Sequence, residues 1–324
     1  MERTAVIALG GNALTREDEV GSYDQQMANA RMMARSISSL LAHDWRVVVV
    51  HGNGPQVGNL AIQAESASDV VPPQPLFSLD AMTQGQLGSM IVLALREECG
   101  DAVKGVVSVV THVIVRRDDP GFGHPTKPIG PFFSRERAEA MAASGRTMAE
   151  DSGRGFRQIV ASPQPMAVLE ADAVRELVES GYLVVACGGG GVPVARTVSG
   201  YRGIEAVIDK DYSAQRLATT INAEALVLVT GVESVQINFG TPEQRPVHEM
   251  CLSEAEDYSA DGQFPPGSMG PKIDACLRFL HEGGSVAVVT TPELVLATLE
   301  GAAEDGAAIG TRIVPNHRVL VGGR

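Results

Sequence analysis

Short apolar runs without polar alternation recur along the chain, and longer segments with helical spacing separate them. The clearest run, residues 47–50, consists of four valines and leads through His51 into a glycine-bearing turn at residues 52–54. Continuous β-branched residues are typical of a parallel strand that is buried on both faces. Residues 24–43 carry apolar side chains at helical spacing, and Pro55 suits the first turn of another helix. This alternation predicts an α/β fold with a mostly parallel sheet and helices on both faces.

The same patterns place the remaining elements. Helical spacing predicts further helices at residues 55–66, 80–98, 135–143, 167–180, 211–222, 271–281 and 292–303. Apolar runs predict strands at the start of residues 5–13 and 183–194, at 106–113, 225–230 and 286–290, and a hairpin or edge strands at 309–321. Asp80 is a suitable N-cap for the helix to Glu98, and either Asp209 or Asp211 can cap the helix that ends near Asn222.

Residues 118–165 break the alternation of strands and helices. They are rich in proline and glycine and show little apolar periodicity outside the short helix. A segment of this length is too long for a plain connection inside a compact domain. We therefore predict a small inserted subdomain, called the insert below, and it contains Lys127, which could close over a bound anion.

Glycines follow four of the predicted strands. They lie at residues 10–11, 52 and 54, 188–191 and 231. Backbone N–H groups at such strand ends and helix starts bind anions, phosphate above all, and the carboxyl ends of parallel strands meet at one edge of a sheet. A tight turn uses glycine for purely structural reasons as well, but the recurrence at four strand ends favours a phosphate-handling site.

Two familiar nucleotide-binding motifs do not account for these glycines. No G-x-x-x-x-G-K-[ST] sequence occurs, which excludes a Walker P-loop protein. Gly52, Gly54 and Gly58 have the spacing G-x-G-x-x-x-G, one residue longer than the dinucleotide-binding fingerprint. This spacing disfavours a Rossmann dehydrogenase without excluding it.

Charge and composition limit the classes of molecule that this protein is expected to bind. The net charge of −13 argues against nucleic acid and against a basic membrane-binding surface, and no apolar run approaches the roughly 20 residues of a membrane helix. The N-terminus lacks a signal-peptide pattern, so we expect a cytoplasmic protein. The four cysteines are scattered without a C-x-x-C pair, which predicts neither a zinc site nor a disulfide framework: Cys99, Cys187, Cys251 and Cys276.

Lysine is rare in this chain. Four lysines occur against 22 arginines, and this scarcity suggests that a lysine marks a place where a compact, steerable ammonium is needed. Lys104 has the surroundings of a solvated turn residue, whereas Lys127, Lys210 and Lys272 lie in segments rich in glycine, proline or aspartate. The alternative is that these three lysines are ordinary surface residues without a function in binding.

Phosphoryl transfer fits these features. It requires positioning and positive charge around the moving group, with little covalent chemistry from the protein. Lys210 and Lys272 could neutralise the charge that develops, and Asp211 could orient them. No serine or histidine has a convincing partner for a nucleophilic triad, and for His51 a supporting or packing role is the better interpretation.

Seven sequence blocks together resemble the signature blocks of carbamate kinases, within the amino-acid-kinase superfamily. They occur in that family's order and span residues 6–272: V-I-A-L-G-G-N-A, H-G-N-G-P-Q-V-G-N-L, P-T-K-P-I-G-P-F, E-D-S-G-R-G-F-R, C-G-G-G-G-V-P-V, G-I-E-A-V-I-D-K-D and F-P-P-G-S-M-G-P-K. A single block would indicate only the superfamily. All seven in order cover most of the chain and are specific to the family.

The resemblance implies a three-layer αβα sandwich with a mostly parallel, open central sheet and a small protruding subdomain, usually as a homodimer. Residues 1–222 would form the carbamate and carbamoyl phosphate lobe, with the insert protruding from it, and residues 223–324 the nucleotide lobe. The implied reaction is the reversible, Mg²⁺-dependent conversion of ATP and carbamate into ADP and carbamoyl phosphate. We expect it to run toward ATP in the degradation of arginine or a related carbamoyl donor.

The resemblance also assigns roles to single residues. Lys210 and Lys272 would flank the transferred phosphoryl group, Asp211 would organise them, and Lys127 would reach the carbamoyl phosphate site. The substrate-binding positions that it implies, together with the turn glycine of the second loop, are Gly10, Gly11, Asn12, Gly52, Asn53 and Gly54. The implied nucleotide-binding positions are Thr230, Gly231, Val232, Met269 and Gly270. No residue is assigned as a metal ligand, because no dedicated carboxylate cage is visible.

Two other functions stay open at this point. The first is a kinase of the same fold for another small acid, such as an N-acetylglutamate-type carboxylate or a phosphonate. Those relatives usually place an essential lysine in the first strand-end motif, where this chain has Leu9, Gly10 and Gly11. The second is a non-catalytic nucleotide sensor, which would be expected to lose the charged site residues that this chain retains.

Overall fold

The structure is a computed structural model, and it describes residues 3–10, 14–16, 19–151, 153–301 and 310–316. Its strands are β1 (Arg3–Leu9), β2 (Trp45–His51), β3 (Gly105–Ser108), β4 (His112–Ile114), β5 (Lys127–Phe133), β6 (Met148–Glu150), β7 (Phe156–Val160), β8 (Ala167–Val168), β9 (Tyr182–Val185), β10 (Val192–Thr197), β11 (Gly200–Gly203), β12 (Ala225–Val229), β13 (Val235–Ile237), β14 (Arg245–Val247), β15 (Glu249–Cys251), β16 (Val286–Thr290) and β17 (Thr311–Val314). Its α-helices are α1 (Tyr23–Leu41), α2 (Gly54–Ser66), α3 (Leu76–Cys99), α4 (Arg135–Ala143), α5 (Ala171–Glu179), α6 (Lys210–Thr220), α7 (Leu252–Ala260), α8 (Met269–His281) and α9 (Val295–Glu300).

The main sheet is mostly parallel. Within the described ranges its strand order is β15-β17-β16-β12-β1-β2-β9-β3. β1 pairs in parallel with β2 on one side and with β12 on the other, and β17 runs antiparallel to β16. Every residue of β12 is buried, as the unbroken apolar runs of these strands require. The carboxyl ends of the central parallel strands therefore share one edge.

Helices cover both faces of this sheet. Side chains of α1, α3 and α9 pack on one face, as the burial of Ile37, Leu95 and Leu299 illustrates. Side chains of α5, α6 and α8 pack on the opposite face, where Leu217 and Phe279 are buried. The predicted three-layer αβα sandwich with a mostly parallel central sheet is thus confirmed. None of the described helices is both long and apolar enough to cross a membrane.

The prediction that Asp80 caps a helix is wrong. α3 begins at Leu76, four residues before Asp80, after Pro75 in extended conformation. The backbone N–H of Leu76 donates to a carboxylate oxygen of Glu205 at 3.1 Å. The cap therefore comes from a residue that is distant in sequence, and Asp80 is left on the buried face of the helix.

Two other predicted elements each form two elements in the structure. The expected strand at residues 106–113 becomes β3 in the main sheet and β4 in a second sheet with the order β11-β10-β4-β8. Residues 167–168 of the expected helix at 167–180 form β8 in that second sheet, so α5 starts at Ala171. A local apolar pattern does not specify which sheet a strand joins, which explains the first error. The second arises because residues 167–168 pair with β4, a contact between segments distant in sequence.

The last predicted elements are shorter than expected. Residues 292–294 form a 3-10 turn before α9, and residues 302–303 lie outside the described ranges. β17 lies between β15 and β16, so it is an internal strand of the sheet. Of the expected hairpin at 309–321, residue 309 and residues 317–321 lie outside the described ranges.

The insert contains a small antiparallel sheet of order β5-β7-β6 together with α4, whose bounds match the predicted helix. It packs on α2 through two glycines. A β-carbon added to Gly58 of α2 would lie 2.1 Å from the backbone nitrogen of Gly130 in β5. Only a residue without a side chain allows helix and strand to approach so closely.

We expect Gly58→Ala to destabilise the protein by about 1–3 kcal/mol, because the added methyl group overlaps the backbone of β5. Urea unfolding measures the change. Gly85→Ala is the matched control, since Gly85 lies inside α3 and an added β-carbon meets nothing within 4 Å. That substitution should be neutral or stabilise by up to about 1 kcal/mol. Equal stabilities of the two variants would contradict the proposed packing.

Candidate active site

Three strand ends meet at the carboxyl edge of the main sheet. The backbone N–H of Gly52, after β2, donates to the carbonyl oxygen of Leu9 at 3.2 Å. A β-carbon added to Gly10 would lie 3.2 Å from the carbonyl oxygen of Val229, at the end of β12. Gly10, Gly52 and the residues that follow Val229 are therefore adjacent. Gly11 and Asn12 lie outside the described residues.

A fourth strand end contributes the tetraglycine turn, residues 188–191, after β9. Gly189, Gly190 and Gly191 all have positive φ angles, between 66° and 93°. A β-carbon at Gly190 would lie 2.2 Å from the carbonyl oxygen of Ile208, and Ser213 donates to the carbonyl oxygen of Gly190 at 2.7 Å. The turn needs glycine for its conformation and for its close packing against the segment that leads into α6.

α6 begins with the charged residues that the sequence pattern singled out. The side chain of Asp209 accepts a hydrogen bond from the backbone N–H of Asp211 at 2.9 Å, so Asp209 is the N-cap. Asp209 and Asp211 were the two predicted caps for this helix, and Asp209 is the one that caps it. Lys210 and Asp211 occupy the first turn and are 7% and 3% exposed, so the polypeptide buries both charges.

Asp211 holds two lysines together. Lys210 Nζ donates to Asp211 Oδ1 at 2.6 Å, and Lys272 Nζ, from the first turn of α8, donates to Asp211 Oδ2 at 2.7 Å. One carboxylate therefore aligns two ammonium groups from different helices. The packing of α6 on α8 and on β1 places this arrangement next to the strand-end loops.

The buried charges shift one another's ionisation. Burial alone would raise the pKa of Asp211, but the two adjacent ammonium groups outweigh it and hold that pKa well below its usual range. Burial lowers the pKa of Lys210 despite the attraction of Asp211. Burial also lowers the pKa of Lys272, but the interaction with Asp211 outweighs it, so the pKa is raised. Asp211 is therefore ionised at neutral pH.

The insert supplies a third lysine to the same place. Lys127 Nζ, at the start of β5, donates to Asp209 Oδ2 at 2.7 Å. Three ammonium groups thus face two carboxylates, and one positive charge is left unbalanced. Sequence reasoning missed the pairing of Lys127 with Asp209, although the D-K-D spacing placed Asp209 beside Lys210.

The expected nucleotide-binding residues belong to two segments, the loop after β12 and the start of α8. The backbone N–H of Thr230 donates to the carbonyl oxygen of Thr290 at 2.9 Å, and an added β-carbon at Gly231 would meet no atom within 4 Å. Val232 is 45% exposed. Met269 and Gly270 form the start of α8, three residues or fewer before Lys272, and Gly270 N–H donates to the carbonyl oxygen of Pro265 at 2.8 Å.

The loop at residues 52–54 is held rigidly. Asn53 is the N-cap residue of α2, and its side-chain nitrogen donates to Asp80 and to Thr83, each at 2.9 Å. Gly54 starts the helix and leaves room for the carbonyl oxygen of Pro128, which an added β-carbon would approach to 3.2 Å. His51 is buried, and burial lowers its pKa to about 4, so it is neutral and fits the expected supporting role.

Two buried polar residues beside this loop were not singled out from the sequence. Asp80 was assigned only to a helix cap, and nothing in the local pattern marks it as a partner of Asn53. Arg157, within the E-D-S-G-R-G-F-R block, donates to the carbonyl oxygen of Gly130 at 3.0 Å and pairs with Asp151 at 3.2 Å. It fastens β7 to β5 near the start of α2.

The arrangement is suited to holding an anion. A partly desolvated group of ammonium ions borders glycine turns at the edge of a parallel sheet, and charge interactions are strong in such surroundings. In the part of the chain that the structure describes, no group of three or more His, Cys, Asp or Glu side chains could hold a metal ion. The carboxylates of Asp209 and Asp211 are both engaged by lysines.

Comparison with known proteins agrees with this geometry. Residues 3–291 match the model of the amino acid kinase family. The carbamate kinase of Pyrococcus horikoshii is 41% identical over 320 residues, which cover 97% of this chain and all of that protein. The chain belongs to the amino acid kinase family, and within that family it is a member of the carbamate kinases.

Solved structures show the same relationship. Carbamate kinase from Giardia lamblia bound to citric acid superposes with a TM-score of 0.90 at 36% identity, covering 97% of this chain and 99% of that one. The same enzyme bound to AMP-PNP superposes with a TM-score of 0.86 at the same identity and coverage. The resemblance noted from the sequence blocks is therefore confirmed.

Proposed function

We propose that this protein is an ATP:carbamate phosphotransferase, which interconverts ATP and carbamate with ADP and carbamoyl phosphate. The observation that carries the proposal is the contact of Lys210 and Lys272 with the two oxygens of Asp211, in a chain of the carbamate kinase family. Phosphoryl transfer depends on such positioned positive charge, because the negative charge of the moving group is shared between donor and acceptor oxygens.

The two lysines stabilise the transferred group. In this proposal Lys210 and Lys272 contact the equatorial oxygens of the phosphoryl group as it passes between the nucleotide and carbamate. Asp211 keeps both ammonium groups aligned, and no reorganisation of charge is needed at the moment of reaction. Because Lys272 lies on α8 and Lys210 on α6, the reacting group binds between the two helix starts.

The glycine turns hold the substrates on either side of these lysines. Gly10, Asn53 and Gly54 offer backbone N–H groups to carbamate or to carbamoyl phosphate. Gly11, Asn12 and Gly52 are the other expected contact positions, and the N–H of Gly52 itself is bonded to the carbonyl oxygen of Leu9. On the other side, residues 230–232 and 269–270 contact the nucleotide. The Giardia lamblia relative was solved bound to AMP-PNP, which supports nucleotide binding by this chain. Residues 1–222 and 223–324 would then act as the acceptor and nucleotide lobes.

Mg²⁺ enters the proposal with the nucleotide. The carboxylates nearest to the lysines are already paired, and the described residues hold no ready group of metal ligands, so they do not form a protein cage for Mg²⁺. Mg²⁺ commonly binds through substrate phosphates, with few protein ligands. We therefore assign it to the phosphates of ATP or ADP and derive no step through it.

The cellular setting completes the proposal. We infer that the reaction runs toward ATP, in the breakdown of arginine or another carbamoyl donor, and takes place in the cytoplasm, where free thiols such as those of Cys99, Cys187, Cys251 and Cys276 persist. We also infer a homodimer, which light scattering of the purified protein tests.

A coupled assay of ATP formation tests the activity itself. The protein is mixed with ADP, Mg²⁺ and carbamoyl phosphate, and ATP is detected through hexokinase and glucose-6-phosphate dehydrogenase. Acetyl phosphate replaces carbamoyl phosphate in a parallel reaction. Rapid turnover with carbamoyl phosphate supports the proposal. Turnover only with another acyl phosphate would favour a kinase for a different small acid, and nucleotide binding without turnover would indicate a sensor.

Lys127→Ala should weaken carbamoyl phosphate binding more than ADP binding. Lys127 comes from the insert and contacts Asp209, whereas Lys210 and Lys272 contact Asp211. We expect the KM for carbamoyl phosphate to rise by about 10–100-fold, the effect of losing one charge-assisted contact of 1.5–3 kcal/mol. Lys104→Ala, which removes an exposed lysine near Tyr182, is the control. Equal increases in both KM values would contradict this role.

A further inference from the structure

Asp80 is a buried carboxyl group that the reaction as described does not use. It is 0% exposed and lies on the inner side of α3, and its Oδ1 accepts a hydrogen bond from Asn53 Nδ2 at 2.9 Å. Its second oxygen, Oδ2, is sealed from solvent and has no hydrogen-bond partner among the described residues. A buried polar group with one unused oxygen has a cost, and such groups call for an explanation.

Thr83 sets which way the Asn53 amide faces. Its hydroxyl donates to the backbone carbonyl oxygen of Asp80 at 2.8 Å, so Thr83 Oγ1 can only accept from Asn53. Asn53 Nδ2 therefore directs one hydrogen to Thr83 and the other to Asp80. Its carbonyl oxygen, Oδ1, must face away from α3.

The tetraglycine turn fixes the amide from the other side. A β-carbon added to Gly189 would lie 2.2 Å from Asn53 Nδ2 and 2.7 Å from Asn53 Oδ1, so the amide rests directly on the backbone of the turn. Asn53 Oδ1 accepts no hydrogen bond from the described residues, because both hydrogen bonds that this side chain makes to them are donated by Nδ2. An oriented, unused acceptor thus lies in the loop between Gly52 and Gly54.

An uncharged Asp80 side chain is suited to holding the Asn53 amide. Burial raises its pKa well above the usual range, and the nearby Glu205 acts in the same direction, whereas the bond from Asn53 acts against them. This rise in pKa favours the protonated, uncharged acid, and the proton belongs on Oδ2 because Oδ1 accepts from Asn53. A neutral carboxyl holds the amide without placing a negative charge beside a site for anions.

The rest of the proposed acceptor site consists of donors. Ammonium groups and backbone N–H groups recognise the oxygens of carbamate, of acetate and of bicarbonate alike. Carbamate differs from acetate by an amino group in place of a methyl group, and that amino group requires a hydrogen-bond acceptor. An acceptor of fixed orientation is therefore what distinguishes the two acids.

We propose that Asp80 and Thr83 are positioning residues, which hold the Asn53 amide so that its Oδ1 accepts a hydrogen bond from the amino group of carbamate or carbamoyl phosphate. This inference rests on the proposed function. It explains why the enzyme would prefer carbamoyl phosphate to acetyl phosphate. Acetyl phosphate, whose methyl group cannot donate, leaves Asn53 Oδ1 unpaired and is disfavoured. A site built to bind an N–H group rejects an isostere without it far better than an apolar pocket does.

The test compares carbamoyl phosphate with acetyl phosphate in the full-length protein. The kcat/KM for carbamoyl phosphate is measured with ADP, and acetyl phosphate is measured as a substrate or, where turnover is too slow, as a competitive inhibitor. We expect Thr83→Val and Asp80→Leu each to reduce the preference for carbamoyl phosphate by about tenfold or more, the effect of one well-oriented hydrogen bond. The KM for ADP should not change. The preference is taken as a ratio of two kcat/KM values, or of the inhibition constant of acetyl phosphate to the KM of carbamoyl phosphate, within one sample, so a partly unfolded variant does not alter it.

Conservative variants provide the matched controls. Thr83→Ser keeps the hydroxyl, and Asp80→Asn keeps a neutral group with one acceptor oxygen, so both should retain most of the preference. An unchanged preference in Thr83→Val and Asp80→Leu, with wild-type turnover of carbamoyl phosphate, would overturn the positioning role alone. Absence of any turnover by the wild-type protein would instead overturn the proposed function, and this inference with it.

Discussion

Lys210→Ala should lower kcat for ATP formation from carbamoyl phosphate and ADP by about 10³-fold, the scale of losing one preorganised group that stabilises transition-state charge. Lys210 is 7% exposed and lies 2.6 Å from Asp211, at the start of the helix that faces the glycine turns. Its removal leaves Asp211 paired with Lys272, so the fold should survive. Initial rates at saturating substrate, together with circular dichroism, measure both effects.

Lys104→Ala is the control for this prediction. Lys104 lies over the ring of Tyr182 at 5.2 Å, in the turn before β3 at the other end of that strand. Its substitution should leave kcat within about twofold, as is usual for surface positions away from a site. A kcat near the wild-type value for Lys210→Ala would remove the role given to Lys210, whatever happened to binding.

Asp211→Asn should damage both activity and stability. The substitution keeps the shape of the side chain but takes away the charge that aligns Lys210 and Lys272, whose side chains are 8% and 15% exposed. Leaving buried charges without their partner typically costs about 3–5 kcal/mol. We expect a loss of stability on this scale at pH 7 and a fall in kcat of about 10²-fold or more, since neither ammonium keeps its orientation.

The pH dependence of stability separates this charge effect from a packing defect. The pKa of Asp211 is lower in the folded protein than its ordinary value of 3.8, so its contribution is fully present above that value and is lost as the pH falls below it. The stability difference between wild type and Asp211→Asn should therefore be constant from pH 7 to about pH 5 and shrink below about pH 4. Urea unfolding across that range measures it, and a difference that is equally large at pH 3 would indicate lost packing.

Much of the fold follows from local pattern. The valine run of β2 and the helical spacing of α1 predict their elements within a few residues, because burial of a continuous apolar face dominates there. The glycine turns and the buried lysine pair with Asp211 also come together as their sequence positions suggested. Parallel strands bring their carboxyl ends to one edge, so local sequence implies long-range proximity in such a sheet.

Other features depend on contacts that no local pattern contains. α3 starts at Leu76 because the carboxylate of Glu205, far along the chain, accepts its N–H. Asp80 resembles an N-cap in the sequence, and only the tertiary structure shows that it holds Asn53 instead. The pairing of Lys127 with Asp209 likewise requires the insert to fold back onto the start of α6.

The most direct measurement is ³¹P NMR of ADP, Mg²⁺ and carbamoyl phosphate mixed with the wild-type protein or with Lys272→Ala at equal folded concentration. With the wild type, we expect the γ-phosphate resonance of ATP to grow as carbamoyl phosphate disappears. With Lys272→Ala, ATP should form no faster than in the absence of protein. Carbamoyl phosphate that persists unchanged with the wild-type protein, or ATP formed equally fast by Lys272→Ala, would contradict the proposed function.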